Sequence, residues 1–138
     1  MQIQPKLQVT GYRGIWGESL TEDIVKKFGK AFVLFTKEDT KKGNPTILIG
    51  RDGRSNGLEI KTILIKELGD MGINLIDGDI LPTPTVLFAV RMHKYDGAII
   101  ITASHNPKEY NGLKFVTKEA LLTNEAQVEI MKKYYEQA

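Results

Sequence analysis

Gly97-Ala98-Ile99-Ile100-Ile101-Thr102-Ala103-Ser104-His105-Asn106-Pro107 divides sharply into two halves. The first half is a short apolar run rich in β-branched residues, the pattern of a strand buried on both faces. The second half turns small and polar and closes with a proline, which cannot continue a central strand. Ser104 therefore stands just past the carboxyl end of a core strand. In open α/β sheets that rim is where ligands collect. On residue types alone, Ser-His-Asn-Pro reads as a turn. Placed after a core strand, it also offers a hydroxyl on a rigid base. His105 beside it adds a side-chain type that exchanges protons near neutral pH.

The flanking chain alternates short apolar runs with amphipathic stretches, the pattern of an α/β protein. Residues 46–49, 73–76 and 113–116 read as further strands. Asn111-Gly112 suits a tight reversal that sets the last of them antiparallel to 97–102. Residues 7–10 alternate as an edge strand does. Leu20, Ile24, Phe28, Phe32 and Phe35 recur at helical spacing, with Ser19 and Glu22 as a capping box and an end before Lys37. Ile60, Ile63, Leu64 and Leu68 form the inner stripe of a second helix, capped by Asn56 and stopped near Gly69 or Gly72. Thr83 is placed to cap a third helix with Pro84 in its first position, burying Val86, Leu87 and Val90. Asn124 and Gln127 box the start of a last helix, whose Val128, Met131, Tyr134 and Tyr135 face inward. The expected architecture is a three-layer α/β/α sandwich on a mixed, mostly parallel four-stranded sheet.

Two loops carry glycines beside arginines. Gly11-Tyr12-Arg13-Gly14-Ile15-Trp16-Gly17 has glycines at a spacing of three, which marks unusual backbone angles or a close approach. It is not a nucleotide P-loop, because no Gly-Lys-Ser/Thr follows. Gly50-Arg51-Asp52-Gly53-Arg54-Ser55-Asn56-Gly57 joins a strand to a helix start, where free N–H groups and planar guanidinium forks suit an anion. Asp77-Gly78-Asp79 lacks the further ligands of a calcium loop and reads as a strand-end turn. His93 falls near a helix C-terminus, where an imidazole needs no special role.

The chain has 138 residues, which suits one domain with one sizeable core. Nineteen basic against seventeen acidic residues leave a formal charge of +2, too even to call for nucleic acid or an anionic membrane. Cysteine is absent, which excludes disulfides and thiolate metal sites. Two histidines make a poor zinc site. Met1-Gln2-Ile3-Gln4-Pro5 has no basic segment leading into an apolar one, so no export leader is expected. No run is long enough to cross a bilayer, and a cytoplasmic protein is the expectation.

Thr102-Ala103-Ser104-His105-Asn106-Pro107, followed by Tyr110-Asn111-Gly112-Leu113-Lys114, resembles the phosphoserine loop of the α-D-phosphohexomutases. The arginine loop resembles that family's Gly-Arg-Asp-Thr-Arg-x-Ser-Gly element, and Leu81-Pro82-Thr83-Pro84-Thr85 its Pro-Thr-Pro turn. Residues 11–17 resemble its Gly-Thr-Asp-Gly-Val-Arg-Gly signature less closely. In that alignment Arg13 stands at an acid and Trp16 at the arginine. Arg13 would then act from a shifted position, and Trp16 would pack.

The resemblance covers the first of four domains typical of these mutases. It implies that Ser104 carries a phosphoryl group and passes it to a hexose phosphate through a hexose 1,6-bisphosphate, which also acts as activator. It further implies Lys114 and His105 in proton transfer, Arg13 at the phosphate, and Arg51, Asp52 and Asn106 as supports of the serine loop. Mg²⁺ would bridge the phosphate of Ser104, held by carboxylates of an Asp-Gly-Asp loop in a second domain. The expected partners are a hexose phosphate and the remaining mutase domains. Alone, the domain should turn over very little. The alternative is a phosphosugar-binding or interaction module without catalysis.

Overall fold

A computed structural model describes residues 5–138. The reading of Met1-Gln2-Ile3-Gln4 lies outside the described residues. The elements run β1 (Tyr12–Ile15), α1 (Glu22–Thr40), β2 (Thr46–Arg51), α2 (Gly57–Gly69), β3 (Asn74–Ile80), α3 (Thr83–His93), β4 (Gly97–Ile101), β5 (Tyr110–Val116) and α4 (Glu125–Gln137). Five strands form one sheet in the order β1-β5-β4-β2-β3. β2 pairs parallel with both β3 and β4, while β5 pairs antiparallel with β4 and β1. The α/β/α class holds. The count is five strands rather than four, and the pairings divide evenly between parallel and antiparallel.

The side-chain alternation of the strands separates two cores. Ile47, Ile49, Ile99, Ile101, Leu113 and Phe115 point to one face and meet α1, α2 and α4. Phe32 packs on Phe115 with ring centroids 5.1 Å apart, and Phe28 on Tyr135 at 4.6 Å. Each such buried side chain contributes about 1.5–3 kcal/mol. Gly29 lets α1 approach α2 closely, since a Cβ there would sit 2.8 Å from Leu64. On the other face Leu48, Ala98, Ile100 and Val116 meet Val86 and Val90 of α3. That helix packs on β2 and β4.

Several local expectations change. The extra strand is β1, inside the stretch expected to be a loop; residues 8–11 instead make a tight backbone turn, with Gln8 and Gly11 exchanging both hydrogen bonds. Tyr12 shows why β1 is a strand: its ring packs at a tilt on Phe28, with centroids 5.4 Å apart, on the core side of the pleat. Thr21, not Ser19, caps α1, its hydroxyl accepting from the Ile24 amide at 3.3 Å. The Ser19 hydroxyl accepts instead from the Ile15 amide, at 2.8 Å, and closes the turn after β1. α1 runs on to Thr40, beyond Lys37. Thr83 is the first residue of α3 with Pro82 before it, so Pro84 is second. Asn111 and Gly112 lie within β5, and the reversal is made by the serine loop itself. Asp77-Gly78-Asp79 continues β3 through a bulge opposite Ile49 and Gly50. The box of Asn124 and Gln127 forms as expected.

Candidate functional site

β2 and β4 end side by side, Arg51 opposite Ile101, so their two following loops meet at one rim of the sheet. The loop after β4 carries Ser104 exposed to solvent, with a left-handed backbone (φ +54°). That conformation disfavours a side chain, and such strained residues persist where surrounding contacts hold them. The contacts are plain here. The Ser104 amide donates to the Thr102 hydroxyl at 3.1 Å, and the Asn106 amide to the Ala103 carbonyl at 3.0 Å.

The strongest hold comes from Arg54. Its guanidinium donates to the carbonyls of Ser104 (2.9 Å), Asn106 (2.8 Å), Pro107 (2.6 Å) and Tyr110 (3.2 Å). Asp52 aims it, with one oxygen 3.3 Å from Nε and the other accepting the Arg54 amide at 3.1 Å. The fork of an arginine suits this work because its five donors lie in one rigid plane. The sequence marks Arg51 and Asp52 as supports. The structure sets Asp52 against Arg54, which grips the serine loop, while the Arg51 side chain turns to Asp79 at 2.8 Å. The signal that would have found Arg54 is its place at the loop tip, three residues beyond the strand end, where the fork can reach the neighbouring loop. Asn111, fully buried, ties the same region to the start of α2 by donating to Asn56 at 2.5 Å.

Arg13 arrives from β1. It pairs in register with Gly112 on β5, and a Cβ on Gly112 would lie 2.9 Å from Arg13 Cγ, 2.8 Å from the Thr102 carbonyl and 2.5 Å from the Tyr12 carbonyl. Glycine at 112 thus clears a lane for the arginine stem. Nη2 reaches Ser104 Oγ at 3.5 Å. Trp16 points elsewhere: its indole donates to Glu59 of α2 at 3.2 Å, and its amide to the Glu109 carbonyl at 3.1 Å. This is the arrangement expected of a shifted arginine beside a packing tryptophan. Arg13 is the arginine at the serine, and Trp16 packs, as its residue type suggests.

Residues 4–138 match the family model described as phosphoglucomutase/phosphomannomutase, alpha/beta/alpha domain I. The chain belongs to this family. A phosphoglucosamine/phosphogalactosamine mutase of Sulfurisphaera tokodaii is 40% identical over 111 residues, covering 80% of this chain and 23% of the relative. A phosphoglucomutase/phosphomannomutase of Thermococcus kodakarensis is 41% identical over 106 residues, covering 77% and 23%. A Thermus thermophilus structure described as a phosphomannomutase superposes with a TM-score of 0.88 at 25% identity, over 98% of this chain and 30% of that one. The chain thus spans just under a quarter of the length of these curated relatives.

In this mutase domain, β5 brings the remaining cation. Lys114 sits opposite Ile100, two residues along from Gly112, on the face that Arg13 shares. Burial, and then the charge of Arg13, pull its ammonium below the ordinary lysine value. Neither Arg13 nor Lys114 takes part in an ion pair among the described residues. Beside them runs a groove of about 300 Å³ whose lining includes Lys6, Arg13, Asn106 and Tyr110 and no carboxylate. Arg13 borders both this groove and the Ser104 hydroxyl, so a phosphate dianion there would gain a charge partner and meet no carboxylate in the lining.

His105 is exposed next to Ser104, and its ring makes no hydrogen bond among the described residues. A magnesium ion finds a poor fit to this chain. No group of three His, Asp or Glu side chains among the described residues could hold one. Ser104 offers a single oxygen, and Asp77 and Asp79 are already matched by Lys61 and Arg51. No helix among the described residues is long and apolar enough to cross a membrane.

Proposed function

We propose that this domain carries the phosphoserine of a hexose-phosphate mutase, with Ser104 as the phosphoryl carrier. The observation behind the reading is one exposed hydroxyl, held on the Arg54-bound loop and met by Arg13 at 3.5 Å, with Lys114 on the same sheet face as Arg13. A phosphoserine bears about −1.5 to −2 charges, and Arg13 stands within reach of that charge. Transfer to a hexose phosphate breaks the Oγ–P bond and forms a P–O bond to a sugar hydroxyl. The hydroxyl proton passes through Lys114 and ends on Ser104 Oγ. A lysine drawn below its usual range holds more of the neutral form this relay needs. His105, next in sequence, is the second candidate for moving that proton. When the bisphosphorylated sugar turns over, Ser104 takes back the other phosphoryl group and the proton returns.

The matched stretch is 23% of each of these two relatives, and the rest of the reading extends to such a longer protein. There, further domains would supply the carboxylates for Mg²⁺ and the contacts that recognise the hexose. By itself this domain would then show little turnover, because positioning and charge stabilisation are most of phosphoryl-transfer catalysis. A chain without cysteine acting on sugar phosphates suits the cytoplasm.

Incubation with glucose 1,6-bisphosphate and Mg²⁺, followed by peptide mass spectrometry, tests the reading. One phosphoryl increment on the Ser104 peptide, lost in Ser104→Ala, is the expected result. Saturable binding of the bisphosphate with no label would instead assign the chain to a non-catalytic phosphosugar-binding module.

A further inference from the structure

One cluster of charges takes no part in the site just described. Lys61 of α2 is only 8% exposed, and its ammonium lies 3.0 Å from Asp77 and 3.0 Å from Asp79. The same Asp79 oxygen accepts Arg51 Nε at 2.8 Å. Asp77 turns its other oxygen back to accept the Asp79 amide at 2.9 Å. The two positive and two negative charges cancel within the cluster.

Asp79 sits at φ +54°, in the bulge of β3. Glycine holds that conformation without strain, and a side chain does not. An aspartate in a glycine's conformation calls for a reason, and the carboxylate supplies one. It joins two cations that flank the same loop. Arg51 is the last residue of β2, and its stem lies along the first residue of α2, with Cδ 3.5 Å from where a Cβ on Gly57 would stand. Lys61 lies one helical turn further along α2. Between the two runs the loop 52–56, which bears Arg54.

We propose that Asp79 is a positioning residue for the serine loop: by holding Arg51 and Lys61 together it clamps both ends of the loop 52–56, so that Arg54 keeps its grip on residues 104–110. The connection is mechanical and contiguous. Asp79 fixes the end of β2 against the start of α2, that junction fixes the reach of Arg54, and the four carbonyls of the serine loop follow. The hydrogen bonds from Lys61 and then from Arg51 hold the Asp79 carboxyl below the usual carboxylate range. The clamp rests on geometry alone; its value to catalysis rests on the phosphoserine reading.

Amide hydrogen exchange read by mass spectrometry tests it on Asp79→Asn, Asp79→Gly and the surface control Lys132→Ala. Lys132 only meets Glu129 one turn away on α4. Both Asp79 variants should speed exchange about tenfold in peptides covering 52–57 and 102–110, with α4 unchanged. Asp79→Gly also removes the backbone strain, so parent-like exchange in that variant would overturn the clamp. So would an equal rise in every peptide, or a rise confined to β3. Bisphosphate labelling of Ser104 in the parent separates the two claims. Loosened loops in variants of an unlabelled parent uphold the clamp and reject the phosphoserine; a labelled parent whose variants keep tight loops does the reverse.

Discussion

The two faces of β5 differ in what their side chains do. Leu113 and Phe115 point into the core beneath α1 and α4 and are almost wholly buried. Gly112 and Lys114, one residue out of step, point to the other face, which Val116 at the strand's end ties to the α3 core. There Gly112 opens the lane for Arg13, and Lys114 stands partly desolvated without an anion beside it. One strand thus divides its residues between cohesion and charge. The core face gains from everything placed on it. On the other face Arg13 and Lys114 repel each other, a stability cost that sites commonly carry.

That contrast can be broken by substitution. Phe115→Ala should be the most damaging, at about 3–5 kcal/mol of unfolding free energy in a denaturant melt, through the cavity it leaves among Phe28 and Phe32. Arg54→Met comes next, at about 1.5–3 kcal/mol, because several loop carbonyls lose a charged donor. It should also cut bisphosphate labelling of Ser104 far more steeply than Phe115→Leu does. Thr21→Ala, remote from the site, should cost about 1 kcal/mol by uncapping α1 and leave labelling as it was.

Lys114→Met sharpens the comparison most, and its stability effect is the smallest and of opposite sign. The folded protein holds the Lys114 ammonium below its unfolded value, so the charged lysine opposes folding at neutral pH. Its contribution to stability should rise as pH climbs from the folded value toward the unfolded one. Lys114→Met should therefore raise the melting temperature slightly at neutral pH, lose that advantage in alkali, and weaken inorganic phosphate binding measured by calorimetry. A variant that is less stable than the parent at neutral pH would show that the Lys114 face is bound by packing after all.

The same division explains what can be read without coordinates. Helical stripes and buried strands follow from apolar periodicity, a local property, and α2, α4, β2 and β4 fall where the pattern puts them. Ser104 is legible for the same reason, since a core strand stopping at Ser-His-Asn-Pro fixes where its hydroxyl emerges. β1 is hidden because three glycines in seven residues read as a loop, whereas its pairing with β5 lies about a hundred residues away. The cap of α1 is misplaced for a related reason: Ser19 and Thr21 both suit the role, and the demand of the Ile15 amide for the Ser19 hydroxyl is tertiary.

Sequence by itself determined the α/β class, the kinship carried by the serine loop, and the presence of a hydroxyl at the end of a buried strand. Residue type and near-neighbour spacing are enough for each of these. Tertiary structure alone decided that the Arg54 side chain grips that loop while Arg51 turns to Asp79, and that Asp79 joins two cations from different elements. Those choices depend on directions of side chains brought together across the sheet, and no local pattern encodes a direction.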